Sequence, residues 1–170
     1  MNSKKRMQQS EIENLVEIAH QKASGIGLGD VRINILIKHN NGLMLDLLNL
    51  RLAPYGLSSV GYFVMMQLHS THNNLANPSD LCVRNGETRA NMTRICDDLT
   101  NKGLMKRVTN LEDRRRVDLS LTDEGIALLQ TVVPALRKDV DALFSVFNEE
   151  EKATLVALLV KLNQKLEALA

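Results

Sequence analysis

Between residues 104 and 121 the hydrophobic repeat of this chain shortens from about 3.6 residues to 2. LMKRVT (104–109) alternates as a strand does, and NLEDRRR (110–116) reads as a loop. VDLSL (117–121) puts Val117, Leu119 and Leu121 on one face of a second strand. The segments on either side carry helical spacing. A single hairpin directly behind two short helices leaves few architectures open. The order helix, turn, helix, hairpin is the outline of a winged helix-turn-helix, set in a chain that is otherwise mainly α.

Upstream, Ile12, Leu15, Val16 and Ala19 fall at i, i+3, i+4 and i+7, which predicts an amphipathic helix over 9–23. SGIGLGD (24–30) interrupts it, with Asp30 the expected cap of the second helix. The stripe of that helix (Ile33, Leu36, Ile37, Leu43, Met44, Leu47, Leu48) keeps its phase through Asn40-Asn41-Gly42. It therefore reads as one long helix, open to a bend at the glycine and ended by Pro54 and Gly56. Ser58 caps a helix whose Val60, Phe63, Val64 and Leu68 face one way. Asn77 and Pro78 start a short helix near 78–84, and Asn85-Gly86 turns the chain. Thr88 caps a helix with Met92, Ile95, Cys96 and Leu99 on its buried side, stopped by Gly103. Beyond the hairpin, Thr122 caps a helix running to about Phe147, bent at Pro134. Asn148 caps a last helix striped by Leu155, Leu158, Leu159, Leu162, Leu166 and Leu169.

Charge is spread unevenly. The chain has 21 Lys and Arg against 20 Asp and Glu, a net +1. Residues 84–116 alone hold nine basic and five acidic side chains, so the remainder is acidic on balance. A localised basic stretch is the footprint expected of a protein that faces a phosphate backbone. Within it, the polar face of the helix after Thr88 presents Arg89, Asn91, Thr93 and Arg94. Arginine pairs bidentately with guanine, asparagine with adenine, and threonine can meet a thymine methyl. Most polar helix faces are merely solvated, and the hairpin is what favours DNA here. Arg114, Arg115 and Arg116 crowd its tip, where a narrow groove of negative potential is within reach. Asp113 beside them suits a role in holding the loop's shape.

Other chemistries find less support. No apolar run is long enough to cross a bilayer, and the basic N-terminus MNSKKRMQQS lacks the apolar core of a signal peptide, so a cytoplasmic location is expected. The two cysteines, Cys82 and Cys96, form no disulfide framework and lie on apolar helix faces. A thiol-based oxidant sensor stays open as an alternative. His69 and His72 in HSTH are spaced i, i+3 without a carboxylate or thiol beside them, so no metal site and no cofactor are expected. No nucleophile–base pair or phosphate-cradling glycine loop stands out, and the chain does not read as an enzyme.

The stretch TRANMTRICDDLTNKGLMKR…DRRRVDLSLTDEG resembles the MarR family of bacterial regulators over residues 57–125. Residues 12–170 resemble that fold in helix order. The family's wing motif, an acid followed two positions later by arginine, falls on Asp113 and Arg115. Helix 9–23 is similar to the extra N-terminal helix of the EmrR-like branch of multidrug-efflux repressors. The resemblance implies a single domain over 1–170, with 9–53 and 122–170 as a helical dimerisation lobe and 57–121 as the winged helix-turn-helix lobe. It implies a homodimer on a pseudo-palindromic double-stranded operator, with Ser79, Thr88, Arg89, Asn91, Thr93, Arg94 and Arg114–Arg116 at the DNA. It also implies release by a small phenolic or amphipathic inducer, with His39, Tyr62, Phe63 and Met66 as candidate lining, although these positions equally suit ordinary core. A winged-helix module that binds protein rather than DNA is a further alternative.

Overall fold

The computed structural model describes residues 6–23, 25–71, 75–109 and 117–169. Seven helices and a small three-stranded sheet make up the described chain, a mainly α winged-helix fold. The order is α1 (Gln9–Lys22), α2 (Leu28–Leu52), a 3-10 turn (Ala53–Tyr55), α3 (Ser59–His69), β1 (Leu75–Ala76), α4 (Pro78–Asn85), α5 (Arg89–Asn101), β2 (Met105–Thr109), β3 (Val117–Leu121), α6 (Asp123–Phe144) and α7 (Glu149–Glu167). Two compact units divide at Gly125/Ile126, inside the first turn of α6. No described helix is long and apolar enough to cross a membrane.

Side chains at the helix starts do the work expected of them. Ser58 Oγ accepts from Gly61 N at 3.1 Å, Asn77 Oδ1 from Ser79 N at 2.8 Å, and Asn148 Oδ1 from Glu151 N at 2.9 Å. Each satisfies a donor that the first helical turn leaves orphaned. Thr122 Oγ1 accepts from Gly125 N at 3.0 Å while its hydroxyl donates to Gly103 O at 2.6 Å, so one side chain caps α6 and fastens it to the end of α5. Asp30 is a correction. Gly27 is the cap of α2, and Asp30 lies in the first turn, where a carboxylate still complements the helix dipole. The helix α2 runs unbroken through Gly42, over which the Arg6 guanidinium lies, bonded to Asp46 from Nε at 2.6 Å.

In the first unit the core comprises Leu52, Leu57, Val64, Met65, Leu68, Leu81, Met92, Ile95, Leu99, Met105, Leu119 and Leu121, all below one-tenth exposed. A satellite of Ile12, Val16 and Val31 joins α1 to α2. The stripe of α3 differs from the expectation: Gly61, Val64, Met65 and Leu68 are buried, while Phe63 is 40% exposed. Both stripes have helical spacing, and only the neighbouring elements choose between them. The sheet order is β1-β3-β2, both pairs antiparallel. Strand β1 was not expected, because two residues carry no measurable period. It pairs Leu75 with Ser120 and Ala76 with Leu119, making β3 central and burying Ser120 on the face away from Leu119. Val117, at the outer end of β3, is exposed rather than in the core.

In the second unit, α6 continues through Pro134 and stops at Phe144, three residues short of the expected end. None of the residues of α7 is buried: its leucines are exposed or, for Leu155, half-buried. An open groove of about 630 Å³ lies between the end of α6 and the start of α7, lined by Val140, Phe144, Leu155, Val156 and Leu159 with Lys152.

Candidate nucleic-acid interface

The turn between α4 and α5 is built from local hydrogen bonds. Gly86 adopts φ +62°, the left-handed conformation that glycine takes without strain. It lets Glu87 N reach back to Cys82 O at 3.0 Å and Gly86 N to Val83 O at 3.2 Å, closing the end of α4. Asn85 Nδ2 donates to Leu81 O at 2.7 Å, and the Asn85 and Gln67 side-chain amides exchange hydrogen bonds between α4 and α3. Thr88 then caps α5, its Oγ1 accepting from Asn91 N at 3.2 Å. The buried face of α5 (Met92, Ile95, Cys96, Leu99) fixes the rotation of the helix. Each such side chain contributes roughly 1.5–3 kcal/mol by leaving water, before ordering costs. Gly103, at φ +71°, ends the helix, and Leu104 N bonds Leu99 O at 3.0 Å.

That rotation exposes Thr88, Arg89, Thr93 and Arg94, with Ser79 exposed at the start of α4. The Arg89 carbonyl accepts from the Thr93 hydroxyl at 2.9 Å, and Arg89 as a residue is exposed. Asn91 is half-buried, and both ends of its amide are engaged. Nδ2 donates to Glu87 Oε2 at 2.5 Å, and Oδ1 accepts from Arg94 Nη2 at 2.9 Å. Sequence reasoning assigns no role to Glu87. The spacings Glu87–Asn91 (i, i+4) and Asn91–Arg94 (i, i+3) are the signal that could have found it.

Behind this face, Arg107 of β2 donates to Asp97 Oδ1 of α5 at 2.6 Å. Lys102, at the end of α5, donates both to Asp98 Oδ2 at 2.6 Å and to Gly56 O at 2.8 Å. Lys106 and Arg107 on β2 are exposed. Asp113 and Arg114–Arg116 lie outside the described residues, as does His72. A cleft of about 200 Å³ runs along α4, α5 and the sheet, bordered by Ser79, Arg89, Thr93 and Arg107 and by both cysteines. Burial pushes the Cys96 thiol up to about 11, despite the Arg107 cation, whereas Cys82 is partly exposed.

None of the four candidate ligand positions is fully buried. His39, Tyr62 and Met66 are half-buried and Phe63 is exposed, with the Tyr62 and Phe63 rings tilted and 5.7 Å apart. Burial raises the Tyr62 phenol above its ordinary pKa. None of the four lines the α4–α5 cleft or the α6–α7 groove.

No family model matches the chain. Curated relatives do. The transcriptional repressor MprA of Escherichia coli is 27% identical over 156 residues, 92% of this chain and 89% of that one. The transcriptional repressor YetL of Bacillus subtilis is 30% identical over 114 residues, 67% and 68% of the two chains. Among solved structures, a cysteine-to-serine variant of MarR from E. coli in complex with operator DNA aligns with a TM-score of 0.70 and 27% identity, covering 76% of this chain and 92% of that one.

Proposed function

Because the chain belongs to the MarR family of transcriptional regulators, we propose that it is a homodimeric repressor which binds a pseudo-palindromic operator and releases it on binding a small ligand. The observation that carries the reading is the rotation of α5. The buried stripe turns Arg89, Thr93 and Arg94 outward on a helix fixed by its cap, its C-terminal glycine and the Arg107–Asp97 pair. A rigid helix with exposed arginine and threonine is what readout of a major groove requires. Lys106, Arg107 and the arginines at 114–116 add phosphate contacts that position the protein, and Asp113 supports the loop. Residues 57–121 then form the DNA-binding lobe, and 9–53 with 122–170 the dimerisation helices.

Dimerisation is supported by apolar side chains left exposed on α7 and on α2. Leu158, Leu159, Leu162 and Leu166 of α7 and Ile33, Ile37 and Met44 of α2 are exposed. A row of exposed leucines along one helix is a surface that monomers seldom leave bare. Sedimentation at micromolar concentration is expected to give twice the monomer mass, and Leu162→Asp to shift the protein towards the monomer. Release is a population shift: a phenolic or amphipathic ligand near His39, Tyr62, Phe63 and Met66 favours the state that fits the operator less well.

The test is binding of the purified protein to DNA from upstream of its own gene against random duplex at physiological salt. Specific binding tighter by about a thousandfold or more is expected. Equal affinities would overturn the reading in favour of a protein-binding module. Burial of Cys96 weighs against that residue as an oxidant sensor, since the thiolate is the reactive form.

A further inference from the structure

We propose that Glu87 is a positioning residue for operator discrimination, acting through Asn91 to aim Arg94; the inference rests on the DNA-binding reading of α5. Three observations carry it. The Glu87 backbone is fixed by the bond from its N–H to Cys82 O at 3.0 Å, so its side chain starts from a set point in the turn. Its carboxylate accepts from Asn91 Nδ2 at 2.5 Å. The opposite end of the same amide, Oδ1, accepts from Arg94 Nη2 at 2.9 Å.

The chemistry of the three groups allows one arrangement. An ionised carboxylate only accepts and a guanidinium only donates, so an amide held between them must point its NH₂ at Glu87 and its oxygen at Arg94. Asn91 is thereby withdrawn from bidentate pairing with adenine, and its oxygen becomes a fixed stop for the arginine. Arg94 keeps its remaining N–H donors for a guanine edge, from a guanidinium restrained before contact. Glu87 contributes without touching a base. Its negative charge also lowers the attraction of this surface for phosphate in general, which favours discrimination over bare affinity.

Duplexes selected from a random pool by the full-length wild-type protein supply the probe. Each position is then replaced by all four base pairs, and affinities are read by fluorescence anisotropy at fixed salt. Arg94→Ala locates the base pair read by Arg94. Glu87→Ala is expected to lower discrimination at that same pair by roughly tenfold. Glu87→Gln, which still offers an acceptor to Asn91, is expected to keep it while binding random DNA somewhat more tightly. In the Arg94→Ala background, Glu87→Ala is expected to change discrimination no further. Loss at a different pair, or equal loss in Glu87→Ala and Glu87→Gln, would overturn the proposal. Selective wild-type binding with Glu87→Ala as discriminating as wild type would sink the positioning role alone. Failure of the wild type to select any sequence would remove the DNA-binding reading and this role together.

Discussion

Arg107, on β2, is clamped to Asp97, on α5, by a hydrogen-bonded ion pair of 2.6 Å between Nη2 and Oδ1. The strand leading into the wing and the helix proposed to enter the groove are thus joined ten residues apart in sequence. Both side chains are about half exposed, so water screens the pair and its contribution is small. Asp97→Asn is expected to cost about 0.5 kcal/mol in urea denaturation at low salt. The difference should shrink in half-molar salt. A loss undiminished by salt would mean that the pair acts through packing instead.

Gly125, in the first turn of α6, lies against the backbone of Leu104 just before β2. A Cβ there would sit 2.1 Å from the Leu104 carbonyl oxygen, which belongs to backbone and cannot swing away. Gly125→Ala is therefore expected to destabilise the fold by roughly 1–3 kcal/mol or more. Gly29, near the start of α2, is the control: nothing lies within 4 Å of its would-be Cβ. Gly29→Ala should raise stability by up to about 1 kcal/mol. Denaturation midpoints with unchanged slopes would measure both.

Cys96 makes stability depend on pH in the alkaline range. Burial raises its folded-state value from the ordinary 9.0 to about 11. Between those values the unfolded chain has lost a proton that the folded chain keeps, so stability falls as pH rises from 9 towards 11. Cys96→Ser is expected to flatten that slope. At neutral pH, native alkylation with mass-spectrometric readout should label Cys82 well before Cys96. Faster labelling of Cys96 would contradict the burial account.

Arg94 and Arg115 are expected to fail in different ways. Arg94→Ala should cost about 1–3 kcal/mol of operator binding and relax the preference at one base pair. Arg115→Ala should weaken binding to all sequences alike and reduce the salt slope by about one. Equal slopes for wild type and Arg115→Ala would remove that arginine from the phosphate contacts.

Much of the fold is written locally. Ser58, Asn77, Thr88, Thr122 and Asn148 each satisfy a backbone donor within three residues, so helix starts can be read without knowing what packs against them. The stripe of α5 is legible for the same reason, since its polar remainder must face out. Asp30 misled because a carboxylate is equally at home as a cap or in the first turn. The candidate interface was legible as a face, Arg89 to Arg94, but not as a set of partners, because the bonds that link Glu87, Asn91 and Arg94 depend on rotamers that spacing alone does not fix.

The sequence by itself determined the order of the helices and of the β2–β3 hairpin, the residues that start and stop most of them, and the concentration of positive charge between residues 84 and 116. These come from hydrogen bonds and repeats that close within a few residues. Tertiary structure decided what depends on distant neighbours. It chose Met65 over Phe63 for the core of α3, paired Leu75–Ala76 with β3 so that Ser120 is buried, and left no room for a side chain at Gly125. Two stripes of equal period on one helix, or a strand of two residues, carry no local energy difference that could rank them. Only the surface each meets on folding supplies it.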